Sequence, residues 1–289
     1  MSRRPFFVGI GAQRSGTTWI SQFLRENPDV RFSPIKEICF FDSKYTDERK
    51  NALLERYNTK FAVLGLGNYI RKYPISGLRL CHHYLGIRTL KDVSYRAFFD
   101  ELARDGSVAG EITPSYAVLH KEAVTAMDAL LNQPNYFLIL RNPIDRLVSQ
   151  YSFRITRPSL RVGANFPVSA GRLEDLVWLG KTSIHNNYHI TLKTFRTVVP
   201  PDRFKVMFTE HLFNPLRHQS ECDSLCDFLG VSRRKGPISK TINRAPEILI
   251  TARERATLAA TLAETYAGVA RDFAAELPEN WKQDFQHCQ

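Results

Sequence analysis

Phe6-Phe7-Val8-Gly9-Ile10 runs without a break into Gly11-Ala12-Gln13-Arg14-Ser15-Gly16-Thr17-Thr18, and this junction leaves few folds open. A short apolar run closed by glycine predicts a strand buried on both faces. Beyond the loop, Trp19, Ile20, Phe23 and Leu24 recur at helical spacing until Asn27-Pro28 stops the pattern. The reading is strand, glycine loop, helix. It repeats at Tyr136 to Leu140, followed by Arg141-Asn142-Pro143, where Asn suits an N-cap and Pro the first helical position. A third strand is predicted over Phe204 to Phe208, between helices over 183–198 and 216–229, the latter capped by Gly230. Near the end, Thr251-Ala252-Arg253-Glu254 has the form of a capping box, and Leu258, Leu262, Tyr266, Val269 and Phe273 predict one long packing helix. The stretch 45–105, rich in Arg, Lys, Tyr and His, reads as helices and loops over the sheet. Continuous apolar strands alternating with helices predict an α/β fold: one domain over 1–289, a central, mainly parallel β-sheet flanked by helices.

Composition narrows the class. The 289 residues are 43% hydrophobic and 24% charged, which excludes disordered and fibrous chains. The five cysteines are an odd number with no Cys-x-x-Cys pair, so a reduced, intracellular protein is expected. Met1-Ser2-Arg3-Arg4-Pro5 precedes too short an apolar run for a secretory leader, and no stretch approaches the ~20 apolar residues of a membrane span. We therefore expect a cytoplasmic protein with no transmembrane segment. Forty Lys and Arg against 29 Asp and Glu leave a net charge of +11, which favours anionic partners: nucleic acid, an anionic membrane, or a small phosphorylated or sulfated ligand.

The position of the charges separates these. Gly11-x-x-x-x-Gly16-Thr17-Thr18 resembles a nucleotide-binding P-loop, in which backbone N–H groups at a helix N-terminus cradle an anion. Such a loop carries Lys directly after its second glycine and uses the next hydroxyl to hold magnesium. Here that position is Thr17, and the cation is Arg14, whose planar fork grips phosphate or sulfonate oxygens without a metal. A P-loop kinase or nucleotide hydrolase is thereby disfavoured. A polyanion binder is disfavoured because no basic stripe with interleaved aromatics is present, and no nucleic-acid partner is expected. A helix starting after Asn142 brings Ser149 two turns along the face that starts at Arg141, so that both converge on a second anion pocket at the same sheet rim. Ligands of open parallel sheets sit at the carboxyl ends of the strands, where both loops fall. His82 and His83 have no third ligand at metal spacing, and no metal is expected.

Gln13-Arg14-Ser15-Gly16-Thr17-Thr18-Trp19 resembles the 5′-phosphosulfate loop of sulfotransferases that use 3′-phosphoadenosine 5′-phosphosulfate (PAPS), and Arg141 to Tyr151 resembles their 3′-phosphate motif. Pro34 to Asp42 and Glu111-Ile112-Thr113-Pro114-Ser115-Tyr116 resemble segments of the bacterial and heparan-sulfate branch, and 204–210 and 228–231 extend the similarity over most of the chain. The resemblance implies a P-loop-like sulfotransferase fold, PAPS as donor and adenosine 3′,5′-bisphosphate as product. It implies that Arg14 stabilises the leaving group, that Ser15, Gly16, Thr17 and Thr18 cradle the 5′ side, and that Arg141 and Ser149 hold the 3′-phosphate. It also implies adenine stacking for Trp19, a residue whose spacing equally fits the core.

An acceptor hydroxyl needs a base, and a carboxylate of raised pKa within hydrogen-bond reach can serve. Glu37 stands where the heparan-sulfate branch carries its base, beside Lys36. Two departures bear on the acceptor: Cys39 replaces a frequent His, and Ile112 replaces the Lys of that branch's Lys-Thr-Pro. Both argue against a heavily sulfated glycan, leaving a hydroxyl on a small molecule, lipid or carbohydrate. The segment 79–88 is a candidate acceptor wall, and Lys240 to Pro246 a candidate loop over the nucleotide.

Overall fold

The computed structural model describes residues 5–45, 58–156, 172–237 and 248–288. Five parallel strands form one sheet: β1 (Phe6–Gly11), β2 (Val30–Phe32), β3 (Val108–Ile112), β4 (Asn135–Leu140) and β5 (Phe204–Phe208), in the order β2-β3-β1-β4-β5. β1 pairs with β3 from Phe6 opposite Ala109 and with β4 from Phe7 opposite Asn135. Every residue of β1 and β4 is buried, as their uninterrupted apolar runs predict. Phe6, Val8 and Ile10 enter one core with Leu138 and Leu140, whereas Phe7, Phe137 and Ile139 enter another on the opposite face with Ile20, Phe23 and Leu24. The α/β class with a helix-flanked parallel sheet is therefore the observed one.

The chain leaves β1 through α1 (Thr17–Arg25) toward β2, returns to β3, and crosses to β4 on the far side of β1. The order reverses between β1 and β4, which opens a crevice at their carboxyl ends. Between β2 and β3 lie α2 (Phe40–Tyr45), α3 (Asn58–Lys72), α4 (Pro74–Arg88) and α5 (Asp92–Leu102). After β3 come a 3₁₀ turn at Pro114–Val118 and α6 (Lys121–Leu130), with His120 at its N-cap. After β4 come α7 (Pro143–Thr156), α8 (Arg172–Thr182) and α9 (Tyr188–Arg196). The chain ends with α10 (Thr209–Leu212), α11 (His218–Leu229), α12 (Ala252–Thr261), α13 (Ala263–Phe273) and α14 (Glu279–Gln286).

Several boundaries differ from the sequence reading. β2 spans three residues, too short to register as an apolar run, and β3 carries Gly110 and Glu111 at its centre. The helix expected over 183–198 starts as a 3₁₀ turn at Ile184–Asn186 and becomes α9 at Tyr188. The long C-terminal helix is two: Leu262 leaves the helical region at φ −107, though Leu258, Leu262, Tyr266 and Val269 all stay buried. The capping box at Thr251 and the left-handed Gly230 (φ 67) form as expected. The five cysteines are all free. Among the described residues no helix is long and apolar enough to cross a membrane.

Candidate active site

Two turns of chain end at the crevice. Gly16 sits at φ 86 and its Cβ, were there one, would stand 3.0 Å from the Phe213 ring, so only glycine fits this N-cap comfortably. The Trp19 and Ile20 amides both return to Gly16 O, at 2.9 and 3.2 Å. No side chain caps α1, so the amides that open the helix are left for an external acceptor. The Thr209 hydroxyl lies 3.0 Å from Ser15 O and 2.9 Å from Leu140 O, tying the loop to the end of β4. On the other side, Asn142 Oδ1 accepts from the Ile144 and Asp145 amides at 3.0 and 3.3 Å, the N-cap that its sequence position predicts for α7.

The two turns are in direct contact. Arg14 Nε donates to Ser149 Oγ at 3.1 Å, and Arg141 Nη1 donates to Arg14 O at 3.0 Å. The Arg14 guanidinium also lies 4.8 Å over the Phe153 ring. Arg14 is itself left-handed (φ 67), a conformation that a non-glycine residue holds only where its surroundings fix it. Arg14, Arg141 and Ser149, expected in two pockets, thus share one surface.

Behind this surface Arg146 is fully buried, with Nη2 donating to Asn186 Oδ1 and with Nε and Nη1 lacking any partner among the described residues. Burial lowers its pKa, and the neighbouring positive charges of Arg141, Arg154 and Arg14 push in the same direction against the effect of Tyr188. Tyr188 Oη donates to Arg141 O at 3.0 Å. Arg146 lies inside the 141–151 motif, whose resemblance assigns it no role, and Tyr188 lies outside every motif. Helical spacing places Arg146 one turn after Asn142, but nothing local signals its burial.

Lys36 and Glu37 follow β2. With Thr17, Thr18, Ser21, Phe32, Ile112 and Pro114 they line one depression, so the candidate base and the start of α1 share a wall. Lys36 Nζ lies 4.0 Å from Glu37 Oε1, and the Glu37 side chain keeps 29% of its surface. Burial raises the Glu37 pKa; Lys36 opposes the shift and Asp42 adds to it. The fully buried Glu111 beneath this loop accepts from the Ile38 amide at 3.2 Å.

One expectation changes. Trp19 is 3% exposed, stacks on Phe23 at 5.4 Å, meets the edges of Phe213 and His218, and donates from Nε1 to Pro237 O at 3.1 Å. Its ring faces are taken by protein, and it is a core residue rather than an open stacking platform. The segment 79–88 lies in α4, which contributes no residue to the depression. Among the described residues no group of three His, Cys, Asp or Glu side chains could hold a metal. Residues 240–246 lie outside the described residues. A larger, open groove of about 490 Å³ runs between α11 and Arg233-Arg234-Lys235-Gly236.

Residues 5–235 match the profile of the sulfotransferase family. The chain belongs to that family. A stretch of 151 residues, 52% of the chain, is 24% identical to the membrane-associated sulfotransferase kil1 of Dictyostelium discoideum, of which the match spans 23%. In three dimensions the chain is similar to a sulfotransferase from Alicyclobacillus acidocaldarius (TM-score 0.63, 18% identity, 98% of this chain and 100% of that one). It is also similar to the sulfotransferase domain of the curacin biosynthetic pathway (TM-score 0.53, 16% identity, 99% and 97%). At these identities the structural likeness establishes the sulfotransferase fold.

Proposed function

We propose that the chain is an enzyme that moves a sulfuryl group from PAPS to an acceptor hydroxyl. The observation that carries this reading is the Arg14–Ser149 hydrogen bond, which makes one cationic surface of the two phosphate motifs. The uncapped start of α1 suits a multiply charged anion. Ser15, Gly16, Thr17 and Thr18 would hold the 5′ side of the donor, and Arg141 and Ser149 its 3′-phosphate. Thr17 in place of a P-loop Lys argues against a kinase or nucleotide hydrolase.

Sulfuryl transfer between oxygens resembles phosphoryl transfer: nucleophile and leaving group lie in line, and protein supplies position and positive charge. Glu37 takes the proton from the acceptor hydroxyl as its oxygen attacks sulfur, and the bond from sulfur to the bridging oxygen breaks. Arg14 stabilises the negative charge left on adenosine 3′,5′-bisphosphate, and Lys36 adds positive charge beside Glu37. A carboxyl raised by burial is a better base than a solvated one. Cys39 and Ile112, in place of polar or cationic residues of the heparan-sulfate branch, suit a hydroxyl on a small molecule or lipid better than on a sulfated glycan. No nucleic-acid partner is proposed.

Thermal shift with adenosine 3′,5′-bisphosphate, and separately with ATP and magnesium, tests the donor. Stabilisation by the first is expected; stabilisation by the second alone overturns the reading. Labelled PAPS offered with a panel of phenols, alcohols, glycolipids and sugars then identifies the acceptor. Glu37→Gln should slow transfer to it by about 10²-fold or more and leave a measurable residual rate, and full turnover by that variant removes Glu37 from the mechanism.

A further inference from the structure

The loop that carries Glu37 alternates strained and anchored residues. Glu37 and Cys39 both sit at φ 56, in the left-handed region that non-glycine residues hold only when the surroundings impose it. The two residues that follow them supply the anchors. Ile38 N–H donates to Glu111 Oε2 at 3.2 Å, and Phe40 N–H donates to Tyr116 Oη at 3.0 Å. Tyr116 Oη in turn donates to Glu111 Oε1 at 3.2 Å. Thr113 Oγ1 donates to Oε2 at 2.7 Å, and the Tyr95 hydroxyl to Oε1.

Glu111, Thr113, Tyr95 and Tyr116 are all fully buried. The Glu111 carboxylate therefore gathers four donors: from the loop after β2, from α5, from the residue just past β3, and from the 3₁₀ turn. Four acceptor sites and no competing donor are what a carboxylate offers once ionised, the form that Glu111 takes as pH rises through about 7, whereas an amide offers them at no pH. A strand centre that needed only packing would be served at less cost by an apolar residue. The other titratable groups facing this network are Cys39, Glu37 and Asp42, the last accepting from Ser115 Oγ at 2.5 Å.

We propose that Glu111 is a positioning residue for Glu37: through the Ile38 amide, and through Tyr116 to the Phe40 amide, it fixes the left-handed turn that sets the Glu37 carboxylate in the wall it shares with Thr17 and Thr18. The proposal rests on the reading of Glu37 as the base. Glu111 touches neither donor nor acceptor, so its effect passes entirely through the loop.

Glu111→Gln keeps the shape but offers one acceptor oxygen and a competing NH₂ group, so the four donors cannot all be satisfied. Hydrogen exchange read by mass spectrometry should accelerate about tenfold or more across 36–42, while β4 and the affinity for adenosine 3′,5′-bisphosphate change little. With the acceptor identified from the panel, kcat should fall about tenfold or more at a nearly constant KM for the donor. In a Glu37→Gln background the same substitution should cost nothing further, because the group it positions is gone. Tyr116→Phe, which frees the Phe40 amide and removes one of the four donors to Glu111, should act in the same direction more weakly, and it carries both measurements if Glu111→Gln does not fold. Unchanged exchange across 36–42 overturns the anchor, and an equal loss of kcat in the Glu37→Gln background overturns the link to Glu37. Full turnover by Glu37→Gln, with accelerated exchange in Glu111→Gln, overturns the base assignment and leaves Glu111 an anchor of the loop alone.

Discussion

Arg14 and Ser149 stand 135 positions apart in the chain and are joined by a 3.1 Å hydrogen bond from Nε to Oγ. The bond runs from the loop behind β1 to the second turn of α7, across the crevice where the strand order reverses. Arg141 reinforces it by donating to Arg14 O at 3.0 Å. Under the proposed function this wall is assembled before the donor binds, so little reorganisation would be needed as negative charge develops.

Arg14→Ala should lower the turnover of labelled donor by about 10²-fold or more, as the removal of one donor to a developing oxyanion does elsewhere. Arg14→Lys should recover part of the loss, because the charge remains while the planar fork is missing. Steady-state rates with saturating donor check both, and wild-type turnover by Arg14→Ala would exclude a role at the leaving group.

Ser149→Ala removes one hydroxyl from the surface, and with it the acceptor of the Arg14 Nε bond, while the Arg14 charge remains. Affinity for adenosine 3′,5′-bisphosphate should fall by about 10-fold or more, the worth of one hydrogen bond to a charged group, with a smaller effect on kcat. Isothermal titration calorimetry reads the first and saturating kinetics the second.

The pH dependence of activity and of stability should run in opposite directions. Glu37 works as a base only when ionised, and burial raises its pKa, so activity should fall as pH drops through a midpoint above the ordinary carboxylate range. Glu111, raised to about 7 chiefly by burial, binds its proton more tightly in the folded than in the unfolded chain. Its contribution to stability is therefore present in full below the ordinary Glu pKa and is lost as pH rises through about 7. Melting temperature should rise on going from pH 8 to pH 6, and the rise should shrink in Glu111→Gln. Scanning calorimetry across that range checks the sign.

The C-terminal helices brace α7. Asp284, 3% exposed at its side chain, accepts from Arg255 Nε at 2.6 Å and Nη2 at 2.7 Å, and from Asn142 Nδ2 at 2.7 Å; Arg255 Nη1 also reaches Asp145 at 3.0 Å. Arg255→Met should strand a buried carboxylate and cost about 3 kcal/mol of stability, read by urea denaturation. Asp284→Asn should cost less, since the amide still accepts one bond and buries no charge.

Much of this was legible in the chain. Glycine spacing, the Asn142-Pro143 helix start, the capping box at Thr251 and the apolar runs of β1, β4 and β5 all act within a few residues of themselves, where backbone sterics and local hydrogen bonds decide the outcome. β2 and β3 escaped notice for the same reason: three residues carry no period, and Glu111 reads as polar until its four donors are in place.

Periodicity and capping fix where strands and helices start and stop, and they brought both phosphate motifs to strand ends. Whether Arg14 touches Ser149, whether Trp19 offers a ring face or buries it, and which carboxylate holds the turn before Phe40 depend on which side chains pack together from remote parts of the chain. Those partners meet only after the sheet has ordered its strands, because contact across 135 residues is set by packing and exclusion of water, for which no stretch of neighbouring residues carries a signal.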